Sequence, residues 1–195
     1  MKVKLVLTEE LLGTASNDPK VHENYVASNA PDAASKEEEV AAIGVDGVVE
    51  KGMTVFPREN GKPFAWDYMI KGFFKDACGS LKYADGSKSS KLKAFKKYID
   101  GLVFITPRKI MIEMSCNGSI GNCQRPLRAN TAQGERIALA NSETVPAGSS
   151  LTFEIRMLKA DMHDVIVEWL NYGELKGLGG WRNSGKGRFT WSEVS

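Results

Sequence analysis

The segment Gly177–Trp191, GLGGWRNSGKGRFTW, has the residue types and spacing needed to hold a phosphate backbone. Glycine has no Cβ, so the peptide N–H groups of such a loop can approach an anion closely. Arg182, Lys186 and Arg188 would supply positive charge, and Trp181 would offer a flat face on which a base can stack. The same composition is also typical of a glycine-rich hairpin with ordinary surface cations, so both interpretations stay open.

Length and charge limit the classes of function. The 195 residues and ordinary apolar and charged fractions predict a single domain over residues 1–195 with one core. A net charge of +2 is too small for the whole surface to bind a polyanion, so any nucleic-acid function needs local clusters of Lys and Arg. Such clusters are present: Lys88, Lys91, Lys93, Lys96, Lys97, Arg108 and Lys109, and further on Arg125, Arg128, Arg182, Lys186 and Arg188.

The cysteines and the N-terminus indicate a reduced compartment and no metal. Cys116 and Cys123 lack C-x-x-C spacing and have no histidine nearby, while Cys78 lies in an apolar helical stretch. We therefore expect three free thiols and no cofactor. The opening residues MKVKLVL have a strand pattern, and the sequence has no apolar run of about 18 residues. These features predict a cytoplasmic protein that does not bind a membrane.

Hydrophobic periodicity predicts an α+β fold, an antiparallel sheet with packed helices of the ferredoxin or RNA-recognition type, with a helical insertion near residues 17–43. Residues 2–8 alternate as in a half-buried strand, and Asp67 can cap a helix with apolar residues at helical spacing. The other predicted elements, in order, are helices over 19–28 and 35–43, a strand over 48–56 paired across Asn60-Gly61 with 63–66, a basic helix within 87–101, strands at 102–105 and 108–114, a hairpin over 135–158 turning at 146–148, a helix over 161–172 and a strand over 188–194.

Two parts of the chain carry a resemblance to a known family. The hairpin VPAGSSLTFEI is followed by a helix that carries EWL, and then by a G-L-G-G loop that runs through G-K-G-R into an edge strand. This order resembles the C-terminal half of the RAMP superfamily, the repeat-associated proteins that form the backbone of CRISPR effectors. Upstream, ENGKPFAWDYMIKGFFKDA resembles the family's G-x-P-x-I-P-G-S-S-L-K-G-x-x-R helix start, with Gly61, Pro63, Ile70, Lys71 and Gly72 in corresponding places.

The resemblance covers the chain from about Val48 onward and points to small backbone subunits that coat guide RNA. It also extends to stand-alone proteins carried on phage and prophage genomes. It implies an RNA-recognition-like core that grips single-stranded, crRNA-like RNA by its sugar-phosphate backbone, with copies of itself or CRISPR effector subunits as partners. The residues it assigns to RNA binding are Lys71, Gly179, Gly180, Arg182, Lys186 and Arg188. To these, charge and loop position add Arg125 and Arg128 in QRPLRAN, although surface arginines beside a proline turn are equally ordinary.

The chain departs from the family pattern at the start of the middle helix. Where the family has P-G-S-S, this chain has Trp66, Asp67, Tyr68 and Met69, which removes small hydroxyl residues and introduces a carboxylate that would repel phosphate. Two aromatic side chains beside an apolar helix often belong to the core. If they are exposed instead, Trp66 or Tyr68 offers a surface on which a base can stack.

Two classes of function remain. Asp46 and Glu50 do not fall in register with the aspartate that some family members use to cut RNA, whereas His22, in PKVHENYV, is a candidate general acid or base. The first hypothesis is a non-catalytic RNA-binding protein, either self-assembling with CRISPR subunits in antiviral defence or a phage mimic that inhibits them. The alternative is a metal-independent endoribonuclease that uses His22. In a weaker third possibility, a pure protein-interaction role, the glycine loop is only scaffold.

Overall fold

The computed structural model describes residues 1–16, 52–116, 118–131 and 134–194. The helices predicted over 19–28 and 35–43, together with His22, Asp46 and Glu50, lie outside these residues. Twelve described strands and three described helices confirm an α+β fold with antiparallel sheet and packed helices. None of the described helices is both long and apolar enough to cross a membrane.

The element bounds follow the chain. The strands are β1 (Lys2–Leu7), β2 (Leu11–Leu12), β3 (Ala15–Ser16), β4 (Thr54–Val55), β5 (Arg58–Glu59), β6 (Lys62–Trp66), β7 (Val103–Thr106), β8 (Lys109–Glu113), β9 (Gly121–Thr131), β10 (Gly134–Val145), β11 (Ser150–Met157) and β12 (Phe189–Glu193). The helices are α1 (Asp67–Leu81), α2 (Phe95–Leu102) and α3 (His163–Lys176), and short 3₁₀ turns occur at Ser89–Lys91, Ala160–Met162 and Arg182–Ser184.

The main sheet has the strand order of a ferredoxin-like fold. β1 lies between β12 and β11 and is antiparallel to both, and β7 and β8 pair one after the other with β11 on its far side. Helix α1 lies between β1 and the strands β7 and β8, and α3 lies between β11 and β12. The chain therefore contains two strand–helix–strand units. β8 also pairs with β6, and the β5–β6 hairpin extends the sheet.

One face of the main sheet packs against the helices. Val3, Leu5 and Leu7 alternate along β1 and are buried, as their period of two requires. On the helical side, the rings of Phe74 on α1 and Trp169 on α3 lie 5.4 Å apart, and both side chains are fully buried. Burying an apolar side chain of this size stabilises the fold by about 1.5–3 kcal/mol. This core fixes the positions of the first turn of α1 and the last turn of α3.

The second sheet corrects two predictions. β10 pairs with β9, β2 and β4, whereas β11 belongs to the main sheet, so residues 135–158 do not form a hairpin. The turn instead carries the chain from one sheet to the other, because Gly148, at φ +83°, donates its N–H to the Leu7 carbonyl oxygen and directs β11 toward β1. The segment that contains Arg125 and Arg128 is strand β9, not a loop. Pro126 within it misled the prediction, although proline is tolerated in an edge strand.

Local signals located other elements well. Asn60 and Gly61 have φ values of +50° and +77° and connect β5 to β6, which confirms the predicted turn. The strand that pairs across this turn is β5, however, and not the predicted strand over 48–56. Within that range, β4 pairs with β3 and β10 in the second sheet. Asp67 is the first residue of α1 rather than its N-cap, and α2 continues through Gly101 to Leu102.

We predict opposite effects when two helical glycines are replaced by alanine. A Cβ on Gly173 in α3 would lie 2.0 Å from the Phe189 ring of β12, whereas a Cβ on Gly101 in α2 meets no atom within 4 Å. Gly173→Ala should therefore lower the free energy of unfolding by about 1–3 kcal/mol through overpacking. Gly101→Ala should leave it unchanged or raise it by up to about 1 kcal/mol. Urea denaturation of both variants checks this, and equal shifts would contradict the packing described.

Candidate nucleic-acid interface

A groove lies between the start of α1 and the glycine-rich segment that follows α3. We call residues 177–187 the glycine loop. The groove has a volume of about 320 Å³. Its two sides are the start of the middle helix and the glycine-rich segment, the two elements that the sequence motifs singled out. Its lining residues are Thr14, Tyr68, Met69, Gly72, Phe73, Leu178, Gly179, Gly180 and Arg182. One side is apolar and comes from α1, and the other side is mostly peptide backbone with one cation.

The glycine loop is closed at its base by backbone hydrogen bonds. Leu178 donates its N–H to the Gly187 carbonyl oxygen at 2.8 Å, and Gly187 donates to the carbonyl oxygen of Glu10 at 2.8 Å. This close approach requires glycine, because a Cβ on Gly187 would lie 1.9 Å from the Leu178 carbonyl oxygen, and the Gly187 φ is +71°. The loop is therefore anchored both to itself and to the segment after β1.

Two backbone amides of the glycine loop beside the groove are without an acceptor among the described residues. Within the described parts of the chain, the amide groups of Gly179 and Gly180 have no hydrogen-bond acceptor. Both residues are only partly buried, and Gly179 has φ +79°. Adjacent free N–H groups of this kind bind anions such as phosphate oxygens.

Both elements carry an exposed aromatic side chain: Tyr68 lines the groove, and Trp181 follows Gly180 in the glycine loop without lining it. Tyr68 is 60% exposed and stacks on Trp66, with ring centroids 6.2 Å apart and an interplanar angle of 15°. The Arg108 guanidinium lies 5.6 Å from the Trp66 ring. On the loop side, Trp181 is 39% exposed and the Arg125 guanidinium lies 4.9 Å from its ring centroid. Tyr68 is thus held by its neighbours as an open stacking surface at the groove.

Two cations of the glycine loop are engaged by carboxylates. The Arg182 Nη1 lies 2.8 Å from Asp76 Oδ2 on α1, which ties the loop to the helix across the groove. Lys186 forms an ion pair with Glu10, and the hydrogen bond from this ammonium to the carboxylate raises the pKa of Lys186. Arg188 is exposed and makes no ion pair with any residue that the structure describes. The free positive charge of the loop is therefore smaller than its sequence suggests.

The remaining residues of the predicted site lie apart from the groove. The Lys71 ammonium reaches the Asp100 carbonyl oxygen at 3.4 Å and the Phe104 ring at 4.8 Å, on the side of α1 that faces α2 and β7. Arg125 is half-buried in β9, contacts the Ser142 hydroxyl at 3.4 Å and stacks on Trp181, so it touches the loop but does not line the groove. Arg128 pairs with Ile137 further along the second sheet.

The start of α1 carries its own anion. Asp67 Oδ1 accepts the Tyr68 amide N–H at 2.8 Å, so a carboxylate already occupies part of the helix N-terminus. The start of α1 thus offers the exposed Tyr68 ring beside a carboxylate rather than a row of free amides. Sequence reasoning did not find Asp76 or Glu10, the acids that pair with the loop cations. Asp76 lies one helical turn after Gly72, so the helical spacing alone could have placed its carboxylate on the same face of α1 as the groove residue Gly72.

The open face of the main sheet does not offer the stacking surface of RNA-recognition sheets. No aromatic residue points outward from the two central strands, β1 and β11, which the structure describes completely. The outward residues are Lys2, Lys4, Val6, Ser150, Thr152, Glu154 and Arg156. Sheets of that type bind RNA by stacking bases on aromatic residues of these strands, so the groove is the better candidate interface.

Groups that could support catalysis or bind a metal are scattered in the described chain. No cluster of three or more His, Cys, Asp or Glu that could hold a metal occurs among the residues that the structure describes. His163, at the start of α3, lies 3.5 Å from Asp164 on the exposed surface. The described cysteines are free, and burial raises the pKa of the Cys78 thiol. His22 lies in the part of the chain that is not described.

Comparison with known proteins gives a structural match without a sequence match. No protein-family model and no curated protein matches the chain. The fold is similar to a chain in the cryo-EM structure of the Type III-B Cmr-beta bound to cognate target RNA, with a TM-score of 0.58 and 13% identity over 100% of this chain and 58% of that chain. A chain of a Type IV-B CRISPR complex also matches, with a TM-score of 0.46 and 12% identity over 100% of this chain and 90% of that chain.

The first match establishes a shared fold. The present chain spans little more than half the length of the Cmr-beta chain, 58%. The architecture is therefore one that a chain of the Type III-B Cmr-beta shares at 13% sequence identity.

Proposed function

We propose that this chain binds single-stranded RNA in the groove and does not cut it, as an RNA-binding subunit of a CRISPR-type effector. The observation that supports this most is the combination, around one groove, of the exposed Tyr68 ring, the free amides of Gly179 and Gly180, and the Arg182 guanidinium. The similarity in fold to a chain of the Type III-B Cmr-beta bound to cognate target RNA supports RNA as the ligand.

Each side of the groove suits one part of a nucleotide. An unpaired base can stack on Tyr68, whose ring is already held against Trp66, so little conformational entropy is lost on binding. The adjoining phosphate would accept hydrogen bonds from the Gly179 and Gly180 amides and from Arg182. Stacking on an exposed ring requires a base that is not paired, and backbone contacts do not distinguish base identity. We therefore assign sequence-tolerant binding of a single strand, as a guide-type RNA would require.

Binding without cleavage is supported by the residues of the groove. General acid or base catalysis needs a titratable group within hydrogen-bond reach of the ribose or the leaving oxygen. Among the lining residues that the structure describes there is no histidine, aspartate or glutamate. Two described carboxylates contact groove residues: Asp76 is held by Arg182, and Asp67 accepts the Tyr68 amide N–H. Within this proposal, the partners are guide-type RNA together with effector subunits or further copies of the chain.

Removal of the Tyr68 ring should weaken RNA binding selectively. We expect Tyr68→Ala to raise the Kd for a short uridine homopolymer about tenfold, because stacking contributes about 1–3 kcal/mol per base. Tyr83→Ala is the matched control, since Tyr83 is also exposed, at 79%, and does not line the groove. Fluorescence anisotropy gives both Kd values. Equal effects of the two substitutions, or none from Tyr68→Ala, would exclude the groove as the site.

Release of Arg182 from its ion pair should strengthen RNA binding. Asp76→Asn removes a carboxylate beside the groove and frees Arg182, so we expect tighter binding and a salt dependence steeper by about 0.7 in log–log slope, the increment for one added phosphate contact. Arg182→Gln should have the opposite effect on affinity. Asp100→Asn breaks a comparable ion pair, with Lys75 at 2.6 Å on the far side of α1, and should change neither quantity. An Asp76→Asn variant that binds RNA like the wild type would contradict the role of Arg182.

A further inference from the structure

A second cavity lies on the helical side of the protein and shares no lining residue with the groove. Its volume is about 590 Å³, and it opens between the segment 88–94, α2 and the start of α3. Pockets that bind small molecules usually measure about 300–1,000 Å³. One wall is formed by the lysine-rich segment 88–94, part of the basic segment within 87–101. From composition alone, such a segment is expected to be a solvated surface.

Hydrogen bonds to α3 hold this wall in place. The Glu168 carboxylate accepts the amide N–H groups of Lys88 at 2.7 Å and Ser89 at 3.0 Å, as well as the Ser89 hydroxyl at 2.5 Å. The Ser89 oxygen in turn accepts the Trp169 indole N–H at 2.9 Å, and Ser89 is fully buried. The cavity therefore has a preformed wall, which reduces the entropy lost when a ligand binds.

The charges around the cavity leave two cations without a carboxylate partner. Lys88 pairs with Asp164 at 2.6 Å, and Lys159 pairs with Asp161 at 2.7 Å. The hydrogen bond from Lys88 lowers the pKa of Asp164, so this aspartate stays ionised at neutral pH. Lys91 and Lys93 also line the cavity, and neither forms an ion pair with a described residue. The lining thus carries a net positive charge that favours an anion.

Part of the cavity lining is apolar. Met162 and Val165 are buried residues of the main core, 2% and 7% exposed, and form its floor together with Leu92. Tyr98 adds an aromatic ring, with the Lys159 ammonium 5.7 Å from its centroid. A ligand that fits both parts has an anionic group at one end and a flat, weakly polar group at the other.

We infer that this cavity binds a small phosphorylated ligand of nucleotide size. Lys91 and Lys93 hold the phosphate, and Leu92, Tyr98 and Val165 contact the base. This site is separate from the RNA groove, and its occupancy does not depend on RNA binding.

The test is calorimetric titration with adenosine monophosphate and with inorganic phosphate. It uses the Gly72→Glu variant, in which a carboxylate at a groove position with open space keeps the mononucleotide out of the groove. We expect one saturable site for the mononucleotide, with inorganic phosphate binding at least about tenfold more weakly. The double variant Lys91→Gln/Lys93→Gln, made in this background, should lose about tenfold or more in affinity, as expected when charge-assisted hydrogen bonds are removed.

Lys96→Gln/Lys97→Gln is the matched control, because these two exposed lysines of α2 do not line the cavity. It should bind the mononucleotide like its parent. Three results would overturn the inference: no saturable binding of the mononucleotide, equal losses in the two double variants, or inorganic phosphate binding as tightly as the mononucleotide. The first removes the site, the second replaces it with diffuse surface charge, and the third leaves the apolar floor without a role.

Discussion

Closure of the glycine loop depends on a contact between backbones that no side chain could fit. The Leu178 amide reaches the carbonyl oxygen of Gly187, and the Gly187 amide reaches that of Glu10, in a space where a Cβ would lie 1.9 Å from the Leu178 oxygen. This closure fixes Gly179 and Gly180 beside the first turn of α1. Without this closure, the groove would have only the side that α1 forms, and the amides of Gly179 and Gly180 would have no fixed position.

The same loop carries its own competitors for an anion. Asp76 and Glu10 engage both of its cations, and Asp67 occupies the start of α1. An ion pair that must break before phosphate can bind reduces the net gain, so contacts with the RNA backbone alone would be weak. In our proposal, stacking on Tyr68 therefore contributes much of the affinity. Weak backbone contacts spread over many adjacent subunits would still hold a long strand firmly.

The sequence predicted those elements whose signals are local. Alternation located β1, the Asn60-Gly61 pair located a hairpin turn, and helical spacing located α1 and α3. Pairing between strands is not a local property, so residues 135–158 looked like a hairpin although their strands belong to different sheets. For the same reason Arg125 was expected in a loop and lies in β9.

The candidate site was predictable in position but not in its charge balance. Glycine content and the helix start identified the two sides of the groove. Glycines indicate a loop with unusual backbone angles, and apolar residues at helical spacing indicate where a helix begins, so both features can be predicted from residue types. The partners of Arg182 and Lys186 lie 106 and 176 residues away in sequence, so no spacing rule indicates them. Lys71 matched a motif, yet its side chain extends toward Phe104, because the helix face it occupies is set by core packing.

Photo-cross-linking to a uridine-containing RNA, followed by mass spectrometry of the attached peptides, tests most directly whether RNA lies in the groove. Our account predicts cross-links at Tyr68, which lines the groove, and at Trp181, the exposed ring that follows Gly180 in the glycine loop. Cross-links confined to the outward face of β1 and β11, with neither ring modified, would contradict it.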